Sequence, residues 1–262
     1  MRLIARLLTV LALLSICPAS TAMADFKKGM AAYEAGDYAT ALKEWRPLAD
    51  KGSTDAQYGL GLIYDSGKSV PQDNAEAARW YRKAADLGLA SAQSNLGVLY
   101  ANGQGVKQDF KEAARWYRRA AEQEYAIAQF NLGVLYEKGH GLKQNYAEAV
   151  HWYRRAAEKG ETDAQLNLGL LYAKGQGIPQ SYAKAVRYYR MAAEQGDADA
   201  QNSLGLLYAK GQGAPQDLVQ AHLWLSLAAA QGDKSAAKER DLLVKKMTPV
   251  QLTQAQKLAR GW

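Results

Sequence analysis

The side chains of this chain that are able to do chemistry are few, and their spacing argues against most of the chemistry they could do. Gly67-Lys68-Ser69 has the ending of a phosphate-cradling loop. Such a loop needs a glycine five residues earlier and a strand before it; here Leu62 holds that position and the preceding residues have helical spacing. The three histidines, His140, His151 and His222, are far apart and have no partners at metal-ligand spacing. Glu76, Glu112 and Glu148 recur at one fixed interval. A general acid and a general base need two unlike environments, whereas a repeated position offers the same environment each time. These glutamates instead suit surface pairing with Arg79, Arg115 and nearby bases, worth a few tenths of a kcal/mol each. The single cysteine, Cys17, lies near the start of the chain, so the rest has no thiol for a disulfide, a nucleophile or a metal. The expectation is a chain with no catalytic residues, no metal site and no cofactor.

The elements that carry these residues are repetitive. Tyr64, Tyr100, Tyr136, Tyr172 and Tyr208 are 36 residues apart, as are Ala56, Ala92, Ala128, Ala164 and Ala200. A fixed period in this range marks a stack of identical supersecondary units. Within Ala92 to Ile127, Leu96, Leu99 and Tyr100 have the i, i+3, i+4 spacing of a helix stripe. Gly103-Gln104-Gly105 then breaks the helix, because glycine accepts the positive φ of a helix end. Asp73, Asp109, Asn145, Ser181 and Asp217 form a column of good N-caps for a second helix. Its stops are Gly52, Gly88, Gly160, Gly196 and Gly232, with Glu124 departing from the column. Each unit is thus a helical hairpin. The small Gly97, Ala120 and Ala121 should allow close approach, with Tyr100, Trp116 and Tyr117 filling the space between layers. One hairpin cannot bury both faces, so stacking supplies the core.

The pattern A-x-x-x-L-G-x-x-Y-x-x-G-x-G, an N-cap, then A-x-x-W-Y-x-x-A-A-x-x-G resembles the Sel-one-like repeat (SLR), a relative of the tetratricopeptide repeat (TPR). Five units match: 56–91, 92–127, 128–163, 164–199 and 200–235. Departures are local, with Ser69 for the second loop glycine, Tyr188 for the tryptophan and Leu225 for the tyrosine after it. The resemblance implies an all-α, right-handed α-solenoid. Residues 25–55 resemble a TPR hairpin, with Gly29, Ala32, Gly36-Asp37-Tyr38, Ala41, Trp45 and Gly52. Residues 236–262 should cap the stack, Thr248-Pro249-Val250-Gln251 opening a last, polar-faced helix that runs to about Arg260.

Residues 1–24 look like a secretory signal. Arg2 and Arg6 precede the apolar run Leu7 to Cys17, and Ala22-Met23-Ala24 offers a site for cleavage before Asp25. The run is short of the roughly 20 residues that span a bilayer, and no later segment reaches that length. Leu14-Ser15-Ile16-Cys17 resembles a lipobox, but bulky Ile16 stands where a small residue is usual, which disfavours a lipoprotein. The expected product is soluble and periplasmic or secreted. Loss of Arg2 and Arg6 lowers the formal net charge from +7 to +5. For an exported protein, that mildly basic balance favours acidic partners or anionic envelope polymers over nucleic acid.

Two sets of columns remain as binding candidates. In the TPR superfamily the first helices line a concave groove, and on this chain's first helices Asn95, Asn131 and Asn167 share a column that Ser203 continues. Beside it run Tyr58, Ser94, Phe130, Leu166 and Asn202, then Leu62, Val98, Val134, Leu170 and Leu206. Asparagine donates and accepts at once, so a row of them suits the backbone of an extended peptide, with the varying neighbours reading its side chains. The alternative reading of the asparagines is that they bond only to the adjacent helix. The second candidate is a basic ladder, Arg82, Arg118, Arg154 and Arg190, which reads either as a solvated face or as a site for an anionic polymer. The resemblance implies a non-enzymatic adaptor that binds a protein or peptide. Some cysteine-rich relatives have been linked to β-lactam hydrolysis, but a mature chain without cysteine lacks that subgroup's defining feature.

Overall fold

A computed structural model describes residues 18–262, which contain fourteen helices and no strand. The leader features Arg2, Arg6 and Leu7 to Cys17 lie outside the described residues, while Ala22-Met23-Ala24 falls within the first helix. The chain divides between Leu87 and Gly88 into two units.

The first unit holds two hairpins, α1 (Pro18–Glu34) with α2 (Tyr38–Asp50) and α3 (Thr54–Ser66) with α4 (Asn74–Asp86). Trp45 fills its centre, nearly fully buried, stacked near Phe26 and donating its indole N–H to the Phe26 carbonyl at 3.2 Å. Around it lie Ala41, Leu48, Leu60, Ile63 and Trp80.

The second unit continues with α5 (Ala90–Asn102), α6 (Phe110–Glu122), α7 (Ala126–Lys138), α8 (Tyr146–Glu158), α9 (Thr162–Lys174), α10 (Tyr182–Glu194), α11 (Ala198–Lys210) and α12 (Leu218–Ala230), and ends in α13 (Lys234–Val244) and α14 (Pro249–Arg260). Helices adjacent in sequence pack on one another through α13, and α14 returns onto α12. The first helix of each repeat begins two residues ahead of the alanine that marks the period, at 54, 90, 126, 162 and 198.

The N-cap column works as expected. Asp73, Asp109, Asn145 and Asp217 each accept two backbone N–H bonds and Ser181 accepts one, an arrangement worth about 1 kcal/mol per helix. The stop column is set by the repeat rather than by glycine alone. In it Glu124 takes φ 63°, and in the loop column Ser69 takes φ 65°, the left-handed conformation that glycine supplies in the other repeats. Glycines within the first helices seat an aromatic side chain, except Gly205, which seats Leu225. A Cβ on Gly133 would lie 2.7 Å from the ring of Tyr153, and one on Gly169 would lie 2.6 Å from Tyr189.

A buried polar column joins the layers. In α3, α7, α9 and α11, Gln57, Gln129, Gln165 and Gln201 each donate to a carbonyl near the end of the preceding second helix, those of Ala49, Ala121, Ala157 and Ala193, at 3.1 Å. Thirty residues further on, Gln123, Gln195 and Gln231 donate to the Oε1 atoms of Gln93, Gln165 and Gln201 at 2.8–2.9 Å. Leu87 and Lys159 hold the same position in the other two repeats, and there the Oε1 atoms of Gln57 and Gln129 are buried without a partner.

At the C-terminus α14 opens on a full capping box between Thr248 and Gln251. Its outer side is not purely polar: Val250 is 76% exposed and Leu258 is also open, beside Thr253, Gln254 and Lys257. The reason is that α14 buries only Ala255 fully, with Leu252 and Ala259 half-buried, and leaves Val250 and Leu258 at the surface.

Candidate partner-binding surface

Gly67 ends α3 in the left-handed conformation, and the Lys68 ammonium lies over the Tyr38 ring, 5.0 Å from its centre. This is a helix–turn, not a phosphate cradle. Glu76 and Glu112 pair with Arg79 and Arg115 at 3.0 and 2.5 Å, as expected. Glu148 has no such pair, because His151 stands where the arginine would be. His222 is buried against Ser226, 3.3 Å away, and burial, then the nearby Arg240, lowers its pKa. Among the described residues no group of three or more His, Cys, Asp or Glu side chains is placed to hold a metal ion. No described helix is long and apolar enough to cross a membrane.

The candidate groove columns lie on the open side of the first helices. Residues three, four and seven apart share a helix face. In α7 this places Phe130, Asn131, Val134 and Lys138 together, opposite the buried Gln129, Leu132 and Gly133. Asn95, Val98, Phe130, Asn131, Val134, Asn167, Leu170 and Asn202 are all half-buried. In the first unit Tyr58 is half-buried too, its ring 5.8 Å from that of Tyr81.

The asparagine column is not uniform. Asn167 is hydrogen-bonded to the Tyr153 hydroxyl, which itself donates to Glu137 at 2.6 Å. Burial and the bond to Glu137 push that hydroxyl's pKa up. Ser203 is bonded likewise to Tyr189, whose pKa burial pushes up to about 12. The reading in which these side chains bond to the adjacent helix therefore holds for Asn167 and Ser203. The Asn131 side chain has no hydrogen bond among the described residues, and its neighbour Phe130 rests on the Tyr153 ring at 5.7 Å. Asn202 keeps a buried Oδ1 without a partner.

The basic ladder is tied down. Arg118, Arg154 and Arg190 donate to the hydroxyls of Tyr136, Tyr172 and Tyr208, at 2.6 and 3.3 Å for the first two. Arg46 does the same to Tyr64 at 2.7 Å, so this column begins one hairpin before the four arginines read from the sequence. Arg82 occupies the equivalent place in α4 and is half-buried. These bonds run from a second helix to the first helix of the next repeat, which makes the ladder an inter-repeat strut. Arg118, Arg154 and Arg190 remain exposed overall, so part of each guanidinium is still open to an anion.

Neither the glutamine column nor Arg46 announces its role through residue type alone. The signal was the period itself: Gln follows Ala in all five units, and Arg46 precedes Arg82 by 36 residues.

Comparison with known proteins places these features in a wider set. The family model described as Sel1 repeat matches five times, at 54–89, 90–125, 126–161, 162–197 and 198–233. Among solved structures, the chain is similar to a protective antigen of uropathogenic Escherichia coli strains displaying an SLR fold. The identity is 35% and the TM-score 0.83, over 92% of this chain and 53% of that one. It is similar also to a Sel1 repeat protein from Oxalobacter formigenes, at 40% identity and TM-score 0.75, over 81% of this chain and 88% of that one. The chain thus spans about half the length of the Escherichia coli structure. No curated protein matches it.

Proposed function

The chain belongs to the Sel1 repeat family, and we propose that it is an exported, non-enzymatic scaffold that holds a partner peptide along its first helices. Sel1 repeat proteins mediate protein–protein interaction, which sets the class of partner. The observation that supports the groove is the open side of α7, where the Asn131 side chain has no hydrogen bond and stands beside Phe130 and Val134. An amide free to donate and accept suits a peptide backbone. An aromatic neighbour supplies the kind of anchor that dominates binding energy. The signal-like residues 1–24, with cleavage after Ala24, support export to the periplasm or beyond.

A second reading, an anionic envelope polymer on Arg82, Arg118, Arg154 and Arg190, draws support from guanidinium groups that tyrosine hydroxyls hold one repeat apart. One experiment separates the two. The purified protein is crosslinked in its own envelope fraction, and the captured material is compared for two variants whose helicity matches the parent. Under the groove reading, Asn131→Ala with Phe130→Ala abolishes capture, while Arg118→Gln with Arg154→Gln alters mainly the salt dependence. The reverse pattern would transfer the function to the polymer reading.

A further inference from the structure

The face that carries Asn131 and Val134 also carries Lys138, and the period extends that lysine. Lys138, Lys174, Lys210 and Lys246 stand 36 residues apart, at or just beyond the C-terminal ends of α7, α9, α11 and α13. All four are exposed, and none has an ion pair among the described residues. The column has no lysine in the earlier repeats, where Ser66 and Asn102 stand instead. Lysine near a helix C-terminus favours the helix dipole. That accounts for three of the four, but α13 ends at Val244, before Lys246.

A cavity of about 370 Å³ opens where this row ends. It is lined by Leu206 and Leu242, which are consecutive members of the Val134–Leu170 column, and by Lys210 and Lys246, consecutive members of the lysine column. Leu218, Leu225 and Leu243 contribute to its apolar wall, and Glu239 also lines it. Its origin is local. The terminal unit lacks the Leu-Gly and Tyr residues of the repeats, and α14 packs on α12 instead of pairing with α13 as the helices of a repeat hairpin do. At the low end of ligand-pocket volumes, which run from about 300 to 1,000 Å³, the space suits one or two side chains rather than a folded element.

We propose that this end of the face is an anchoring subsite for a peptide that carries one large apolar side chain flanked by carboxylates. The apolar side chain fills the cavity between Leu206 and Leu242, and the carboxylates meet Lys210, Lys246 and, further along, Lys174 and Lys138. Helices of successive layers lie roughly 10 Å apart. An extended chain advances about 3.3 Å per residue. The acidic residues of the partner therefore recur at about every third position. Three or four unpaired cations facing a single Glu239 give the selectivity for an acidic segment. The proposal rests on the groove reading above and adds the partner's chemistry and polarity to it.

A library of random dodecapeptides displayed on phage is selected on the purified protein, and selected peptides are measured by fluorescence anisotropy. Expected is an enriched pattern of acidic residues three apart around a Leu, Ile or Phe. Binding should weaken at least tenfold in Lys210→Gln/Lys246→Gln, and also in Leu242→Glu, which puts a like charge at the cavity. Lys107→Gln/Lys143→Gln, on exposed loops away from the row, should leave binding unchanged. Enriched peptides that bind all these variants equally but lose binding in Asn131→Ala/Phe130→Ala would overturn the subsite and keep the groove. Absence of any enriched peptide, or peptides lost only in Arg118→Gln/Arg154→Gln, would overturn both.

Discussion

Replacing Leu87 with glutamine should stabilise the first unit by about 1 kcal/mol. Gln57 is 5% exposed, and while its Nε2 donates to the Ala49 carbonyl at 3.1 Å, its Oε1 is buried without a partner. A buried acceptor left unpaired costs about 1–3 kcal/mol. Three other repeats show the remedy, a glutamine thirty residues on whose Nε2 reaches the corresponding Oε1 at 2.8–2.9 Å. Leu87 holds that position, 59% exposed, so removing it sacrifices little packing. Ordering a glutamine side chain costs up to about 1.5–2 kcal/mol when fully fixed, and an exposed cap residue is only partly fixed, which leaves the net near 1 kcal/mol. The assay is amide hydrogen exchange of α3 and α4, which reads local opening free energy within a repeat array, supported by urea denaturation. Leu87→Asn is the control, polar but one methylene too short to reach. Equal protection in the two variants would refute the reasoning, because the gain would then come from surface polarity and not from Gln57.

Gly133→Ala should destabilise the second unit by about 1–3 kcal/mol, because the new methyl would sit 2.7 Å from the Tyr153 ring, and Gly133→Leu by more. A change at exposed Lys143 should stay within about 0.5 kcal/mol, and equal melting temperatures for the Gly133 and Lys143 variants would contradict the close packing. His222 should make stability fall on acidification. Burial lowers its pKa in the folded state, so below about pH 6.5 the unfolded chain takes up the proton first and is favoured. Its contribution is complete above that value and shrinks as pH drops until the folded state protonates as well. Comparing denaturation midpoints of the parent and His222→Gln between pH 5 and 8 tests this, and parallel profiles would count against it.

Much of this architecture was legible before any coordinates, for a physical reason. A 36-residue period puts every column in one environment, so five examples of Asp73, Asp109, Asn145, Ser181 and Asp217 vote together for a helix start. What the period does not tell is which columns face each other. Arg118 and Tyr136 are half a period apart, and nothing in either residue type announces that a guanidinium reaches that hydroxyl. The same limit kept the asparagine column ambiguous: its members share a register, yet Asn167 is taken up by Tyr153 while Asn131 is left open. The cavity near Lys246 was illegible for another reason. It lies in the terminal unit, where α14 packs on α12 and not on α13, and a period describes only what repeats.

Departures from a column are therefore the informative positions in such a chain, and two of them explain each other. Glu124 stands where the other repeats have glycine, and keeps glycine's left-handed backbone at φ 63°. Lys159 stands where three repeats have glutamine, and leaves Gln129 Oε1 buried without its donor. Separately each replacement works against stability, the first through backbone strain and the second through an unmet acceptor. Together they form an ion pair at 2.9 Å across adjacent repeats, with Arg155 at 4.0 Å from the same carboxylate. That pair, led by Lys159, also holds the Glu124 carboxyl below its ordinary pKa. Exposed pairs of this kind contribute little to stability, so the exchange does not make the stack more robust. It does change the surface: a glycine–glutamine junction becomes a charged one at a single layer, beside the repeat that also carries Phe130 and the open Asn131. Glu124 belongs to the second repeat and Lys159, Phe130 and Asn131 to the third, so under the proposed groove reading this junction would offer a partner a register cue along a nearly periodic surface.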